Sequence, residues 1–239
     1  MRIEIIKCLE DNFSYLLIDE ENNSACVIDP SEAAPIVNYI EKFNINLEFI
    51  LNTHHHFDHI GGNKELKKKY NSKVIGFKKD ENRIPEIDIA LDDKAIWKDN
   101  KFEAKIYHVP GHTSGHVCYH FFNQNILFTG DTLFSLGCGR IFEGTHKQMF
   151  HSLQLIKSFS EDTKIYCGHE YTLKNSEFCI EHDKNNNALI EKIDSIKEKL
   201  EKGLPTVPST IKEELDCNIF LRSKDVESFS KLRDLKDNF

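Results

Sequence analysis

The sequence predicts an α/β protein followed by a small helical C-terminal domain, on three observations. Short apolar runs recur through the first two thirds of the chain, each ending in a polar or glycine-containing loop. Segments of helical character lie between them, as in layered α/β folds. After about Tyr171 the runs stop and amphipathic patterns take over. At 239 residues and 39% hydrophobic content, the chain can bury one sizeable core and a small second one packed on it.

The expected strands are residues 25–28, 49–51, 105–109, 117–122, 126–128 and 164–167, each apolar enough for a largely buried sheet. Helices are expected over 62–70 and 147–159. Further on, Leu189, Ile190, Ile193, Ile196 and Leu200 fall at helical spacing with charges on the other face, and Gly203 with Pro205 supplies a stop. Residues 225–236 are expected to be helical too, so the C-terminal part is predicted to be all helical and to pack on the main domain. No repeats, low-complexity tracts or long linkers interrupt this order.

Composition excludes several function classes. A formal charge of -8 without an arginine cluster is the wrong surface for nucleic acid. No run approaches the roughly 18 apolar residues of a membrane helix. The first residues, MRIEIIKCLEDNF, carry acids where a secretion signal carries an apolar run, so a cytoplasmic protein is expected. Cys8, Cys26, Cys118, Cys138, Cys167, Cys179 and Cys217 form no CxxC pair and fit reduced thiols rather than a disulfide frame. A monomer acting on a small molecule is the expectation, with no membrane or nucleic-acid partner.

The segment LNTHHHFDHIGG, residues 51–62, carries the chemistry. His54 and His56, two apart, share one side of an extended or looped backbone and can reach one ion. Asp58 and His59 follow, and a turn there aims them at a second point, at about the 3.5–4 Å spacing of two-metal hydrolytic sites. Gly61 and Gly62 permit the tight backbone this needs. Four histidines and an aspartate within six residues are a metal signal, whereas a lone histidine is more often structural. His55, between two ligands, is expected to point away from the ion.

Six residues cannot complete two coordination shells, and three later segments offer donors after apolar runs: His112 in VPGHTSGH, Asp131 in LFTGDTLF and His169 in YCGHEYT. Each alone could cap a turn or a helix, or simply hydrogen-bond. Together with the first motif they make seven donors.

In order and spacing, THHHFDH, the HTSGH loop, GDTLF and GHEYT resemble the metallo-β-lactamase superfamily, and within it glyoxalase II, the hydroxyacylglutathione hydrolases. GCGRIFEGT and NIFLR extend the resemblance over essentially the whole chain. It implies an αββα sandwich, here residues 1–171, and a C-terminal helical substrate-binding domain, 172–239. It also implies that His54, His56 and His112 bind a first metal, Asp58, His59 and His169 a second, and that Asp131 bridges them. The family accepts zinc, iron or manganese; two divalent ions per chain are expected, zinc foremost. His116 is the remaining histidine expected to support the ligands from behind.

Two such cations with their carboxylates hold a hydroxide at neutral pH and still attract a carbonyl oxygen. Asp58 is expected to orient that hydroxide as the catalytic residue. A thiol with pKa near 8.5 leaves without a protonating side chain, and no dedicated general acid is visible, which fits a thioester. The resemblance implies cleavage of S-D-lactoylglutathione to D-lactate and glutathione, the last step of methylglyoxal detoxification. Glutathione carries two carboxylates, so an acidic protein needs local cations to hold it. The resemblance places Arg140 and Arg222 there, with Tyr171 as a hydroxyl donor. Phe142 stands where some relatives have tyrosine. Asp225 stands where they have a lysine three positions after the C-terminal arginine, and Lys224 is the expected substitute. The rival within the fold is a glutathione persulfide dioxygenase with a single iron, and a lactonase or β-lactamase is a further alternative. The non-enzyme alternative is a metal-binding module.

Overall fold

The computed structural model describes residues 1–239, and the chain folds as two units, Met1–His108 with Gly115–Phe122, and Val109–Ser114 with Asn123–Phe239. No helix is long and apolar enough to cross a membrane.

In the first unit, β1 (Arg2–Cys8), β2 (Asn12–Asp19) and β3 (Ser24–Ile28) run antiparallel. β4 (Asn46–Leu51), β5 (Lys73–Phe77) and β6 (Ile89–Leu91) then add parallel strands to give a six-stranded sheet in chain order. Parallel neighbours need crossovers, supplied by α1 (Ala33–Phe43) after β3 and, after β4, by α2 (Phe57–Ile60) and α3 (Asn63–Tyr70). Strand alternation turns Leu16, Ile18, Ala25 and Val27 toward Ile36 and Ile40 of α1 and Leu66 of α3 in one buried cluster. Asn44 and Asn71 end α1 and α3 in the left-handed conformation that asparagine tolerates.

An antiparallel ribbon of β7 (Ile96–Lys98), β8 (Glu103–His108) and β9 (Val117–Phe121) packs against the same sheet. The Trp97 ring meets Phe49 edge-on at 5.0 Å, and the Tyr119 hydroxyl donates to the Asn52 carbonyl at 3.0 Å. Helices on one face and ribbon on the other explain why the strand run before the histidines is apolar throughout rather than alternating. The carboxyl ends of β3 and β4 deliver Asp29 and residues 52–59, the edge where open α/β sheets bind ligands.

The second unit repeats that logic. β10 (Ile126–Gly130) carries Asp131 at its carboxyl end. β11 (Leu133–Phe134) and β12 (Gly137–Cys138) make a small hairpin. After α4 (His146–Lys157), whose start is fixed by a capping box of Thr145 and Gln148, β13 (Lys164–Cys167) lies parallel to β10 and delivers His169 to the same edge. α5 (Thr172–His182) and α6 (Asn187–Glu201) follow, and Gly203 at φ +69 turns the chain away as expected. The expectation of an all-helical C-terminal part is corrected here: β14 (Ser209–Thr210) pairs antiparallel with β13 before α7 (Ile211–Cys217) and α8 (Val226–Asp237). A strand of two residues leaves no periodicity to read. The expected α8 bounds are right to within a residue, with Asp225 as its cap rather than its first turn.

Candidate metal centre

Each unit carries its own set of donors. In the first, buried His54 and His59 have ring centroids 4.2 Å apart, and His54 and His56 are 4.7 Å apart. Asp58 Oδ2 is 3.6 Å from His59 Nε2 and accepts from Asn12 Nδ2 at 3.0 Å. Behind them stands Asp29, 2% exposed and missed in the sequence. Its carboxylate accepts from Thr53 N at 2.7 Å, from Thr53 Oγ1 at 2.6 Å and from His59 Nδ1 at 3.0 Å. Because the Thr53 hydroxyl spends its proton on Asp29, its oxygen is left to accept from His54 Nδ1 at 3.0 Å. Both rings are thereby oriented with Nδ1 donating backward and Nε2 turned forward, the orientation a metal needs.

His55 turns to Asp80 at 3.2 Å. His116, wholly buried, stacks on His54 at 4.6 Å. Gly61 and Gly62 have ordinary helical backbones; what they allow is close approach, since a Cβ would meet Ser31 O at 2.4 Å and Pro30 O at 2.9 Å.

In the second unit, His112 Nε2 and His169 Nε2 both face Asp131 Oδ2, at 3.5 and 3.3 Å. His112 Nδ1 is 2.8 Å from the Arg140 carbonyl, a group that only accepts. Hence Nδ1 donates, and Nε2 is turned to a carboxylate that His169 Nε2 also faces. Two imidazole nitrogens converging on one carboxylate oxygen need a proton or a cation among them, and this donor set fits a metal ion. Gly139 makes the approach possible: a Cβ there would lie 1.9 Å from the Asp131 carbonyl. Phe142 sets its ring edge-on to His112 at 5.2 Å, and Tyr171 stacks on His169 at 4.7 Å, so both pack on candidate donor rings.

The expected substrate cations separate. Arg140, 54% exposed, approaches Asp237 at 3.3 Å at the end of α8. Arg222 lies before the start of that helix and pairs with Asp183, whose carboxyl the Asn186 amide and then Arg222 hold below the usual range. With Lys224, Arg222 lines an open cleft of about 320 Å³. Twelve residues of helix, about 18 Å, lie between the two ends, so Arg222 and Lys224 do not join Arg140. The C-terminal cation that does is Arg233, through Asp237, which both arginines approach; Lys236 follows one turn on. Arg233 is buried and donates to the Cys138 carbonyl at 2.7 Å and to Asp237 at 2.9 Å. Lys236 is half-buried beside the Phe178 and Phe239 rings, and burial lowers its amine to about 8. Their spacing of three on an expected helix was the available signal.

This fold and donor arrangement fit the metallo-β-lactamase superfamily, whose profile matches residues 11–169. The profile described as the hydroxyacylglutathione hydrolase C-terminus matches residues 170–239. The hydroxyacylglutathione hydrolase of Pelagibacter ubique (strain HTCC1062) is 65% identical over 100% of both chains. That of Methylococcus capsulatus (strain ATCC 33009 / NCIMB 11132 / Bath) is 40% identical over 98% of this chain and 97% of its own. The crystal structure of the BLEG-1 B3 metallo-β-lactamase has the same fold, with TM-score 0.73, 22% identity and coverage of 93% and 100%. The chain belongs to the hydroxyacylglutathione hydrolase, or glyoxalase II, family.

Proposed function

We propose that this protein hydrolyses S-(2-hydroxyacyl)glutathione thioesters, S-D-lactoylglutathione to D-lactate and glutathione, as the last step of methylglyoxal detoxification. The observation that carries the reading is the convergence of His112 Nε2 and His169 Nε2 on Asp131 Oδ2, at 3.5 and 3.3 Å, beside the donor groups His54, His56, His112 and Asp58, His59, His169. We assign His54, His56 and His112 to one divalent ion, Asp58, His59 and His169 to a second, and Asp131 to both, with zinc as the expected metal and iron or manganese as substitutes. When bound, such a pair polarises the thioester carbonyl and makes water acidic enough to attack at neutral pH. Asp58, steadied by Asn12, orients the attacking water. The glutathione thiol leaves as thiolate, so no side chain has to protonate it.

For the substrate we assign Arg140, Arg233 and Lys236 to the glutathione carboxylates, with Tyr171 and Phe142 beside the ligand rings. We keep residues 1–171 as the catalytic part and 172–239 as the substrate-binding part. The protein is expected to work as a cytoplasmic monomer. The persulfide dioxygenase reading has no use for a C-terminal part of this family. Metal analysis and a thioester assay on one sample test the proposal. About two ions per chain with release of D-lactate and glutathione support it; one iron per chain with oxygen consumption on glutathione persulfide overturns it.

A further inference from the structure

Between Asp131 and Arg140 the chain forms the β11–β12 hairpin, and its two-residue turn, Ser135 and Leu136, is gripped by α5 and α7. Leu136 sits at φ +59, a left-handed conformation that is unfavourable for a non-glycine residue and persists only where its surroundings hold it. Its N–H donates to Glu214 Oε2 at 2.9 Å, and its carbonyl accepts from Cys179 Sγ at 3.1 Å. Asn218 Nδ2 joins Glu214 Oε2 at 2.9 Å to the Gly137 carbonyl at 3.1 Å, while Asn175 Nδ2 donates to the Ser135 carbonyl at 3.1 Å. The two-residue turn thus takes three side-chain partners, and Asn218 adds a fourth on the adjoining Gly137.

Glu214 is an odd residue for this place unless it has a task. It is 0% exposed, and burial raises its carboxyl above the usual range. An acid in such a position is costly compared with an apolar side chain of like size. What it accomplishes is local: it supplies the acceptor for an N–H that the turn leaves outside any ladder.

The rest of the hairpin leads to the ligands. Phe134 packs against His169 at 5.9 Å and Tyr171 at 5.3 Å. Beyond Cys138, Gly139 N donates to the Thr132 carbonyl at 3.2 Å, and the Arg140 carbonyl orients His112. Shifting the turn therefore moves the supports of His112, Asp131 and His169 together.

We infer that Glu214 is a positioning residue for these three ligands: through the turn at Leu136 it fixes the hairpin that holds them in register, without touching substrate or the reacting atoms. This rests on the metal reading above and adds that α7 controls how firmly the ions are retained.

The test is the rate at which a chromophoric chelator strips zinc from loaded wild-type, E214Q and E214A protein, read beside thermal melting and steady-state kinetics. E214Q keeps an acceptor for Leu136 and should release zinc within about twofold of wild type. E214A should release it at least tenfold faster, with kcat falling more than KM rises. If E214A does not fold, Asn218→Ser loosens the same turn and is expected to speed release in the same direction. A folded variant that melts earlier but releases zinc at the wild-type rate overturns the inference while leaving the metal reading intact. Wild-type protein that takes up no zinc overturns both.

Discussion

Asp29→Asn leaves the volume of the site almost unchanged but puts an amide where two donors now converge, so it tests whether ring orientation matters. An amide hydrogen facing His59 Nδ1 disfavours the tautomer that leaves Nε2 for the ion. Zinc affinity, measured by chelator competition, should fall between about 10- and 100-fold; an unchanged affinity removes Asp29 from the support of the site. Lys236 gives a pH signature. With its amine lowered to about 8, it is charged below that pH and neutral above it. KM for the thioester should therefore climb as pH rises through about 8, whereas Lys236→Arg should keep it flat to pH values well above. At this scale the donors were legible because histidines and aspartates crowd into four short motifs. Asn12, Asp29 and Thr53 were not, because common residue types far apart in sequence carry no mark of converging behind an imidazole. Arg233 and Lys236 had a visible spacing, but NIFLR drew attention to Arg222, and only the path of α8 shows which end of the helix meets Arg140.

Among elements, the loop from β12 to α4 is the least tolerant. Gly139→Ala sets a methyl against the Asp131 backbone rather than against a side chain that could swing away. A displacement near 1 Å in a catalytic group costs on the order of 100-fold in rate, and kcat of the variant should fall by that amount with secondary structure intact by circular dichroism. The start of α8 offers the contrasting case. Asp225 accepts from Ser228 N at 2.8 Å in a capping box. Asp225→Ala should lower unfolding free energy by about 1 kcal/mol in denaturant melts while KM stays at the wild-type value, because this end of the helix lies away from Arg140. The longer elements were readable from periodicity, whether strands such as β3 and β10 or helices such as α4 and α6. β11, β12 and β14 were not, since two residues hold no period and exist only because a neighbour supplies their hydrogen bonds.

For the molecule as a whole, bound ions should act as stabilising ligands, since the donor sets exist only in the folded chain. At a free zinc concentration 1,000 times the dissociation constant, the gain is about 4 kcal/mol. Stripping with chelator should lower the melting temperature by calorimetry, and added zinc should restore it; an equal temperature in both states would argue against a metal centre of any strength. The broad division into an α/β part and a helical part was legible from the change in character after Tyr171. The two packing units were not, because Val109–Ser114 groups with the later residues across a gap in sequence.

The short pairing of β14 with β13 has a consequence for anyone cutting this protein at its apparent seam. A version ending at residue 171 would lose the partner of Lys164 and Ile165, and so bare the rim of a sheet whose neighbouring side chains are apolar. Unpaired rims recruit strands from other molecules. Such a fragment should emerge from gel filtration as soluble oligomers or as precipitate, and the last 68 residues would then be a built-in guard against self-association as well as a helper in catalysis.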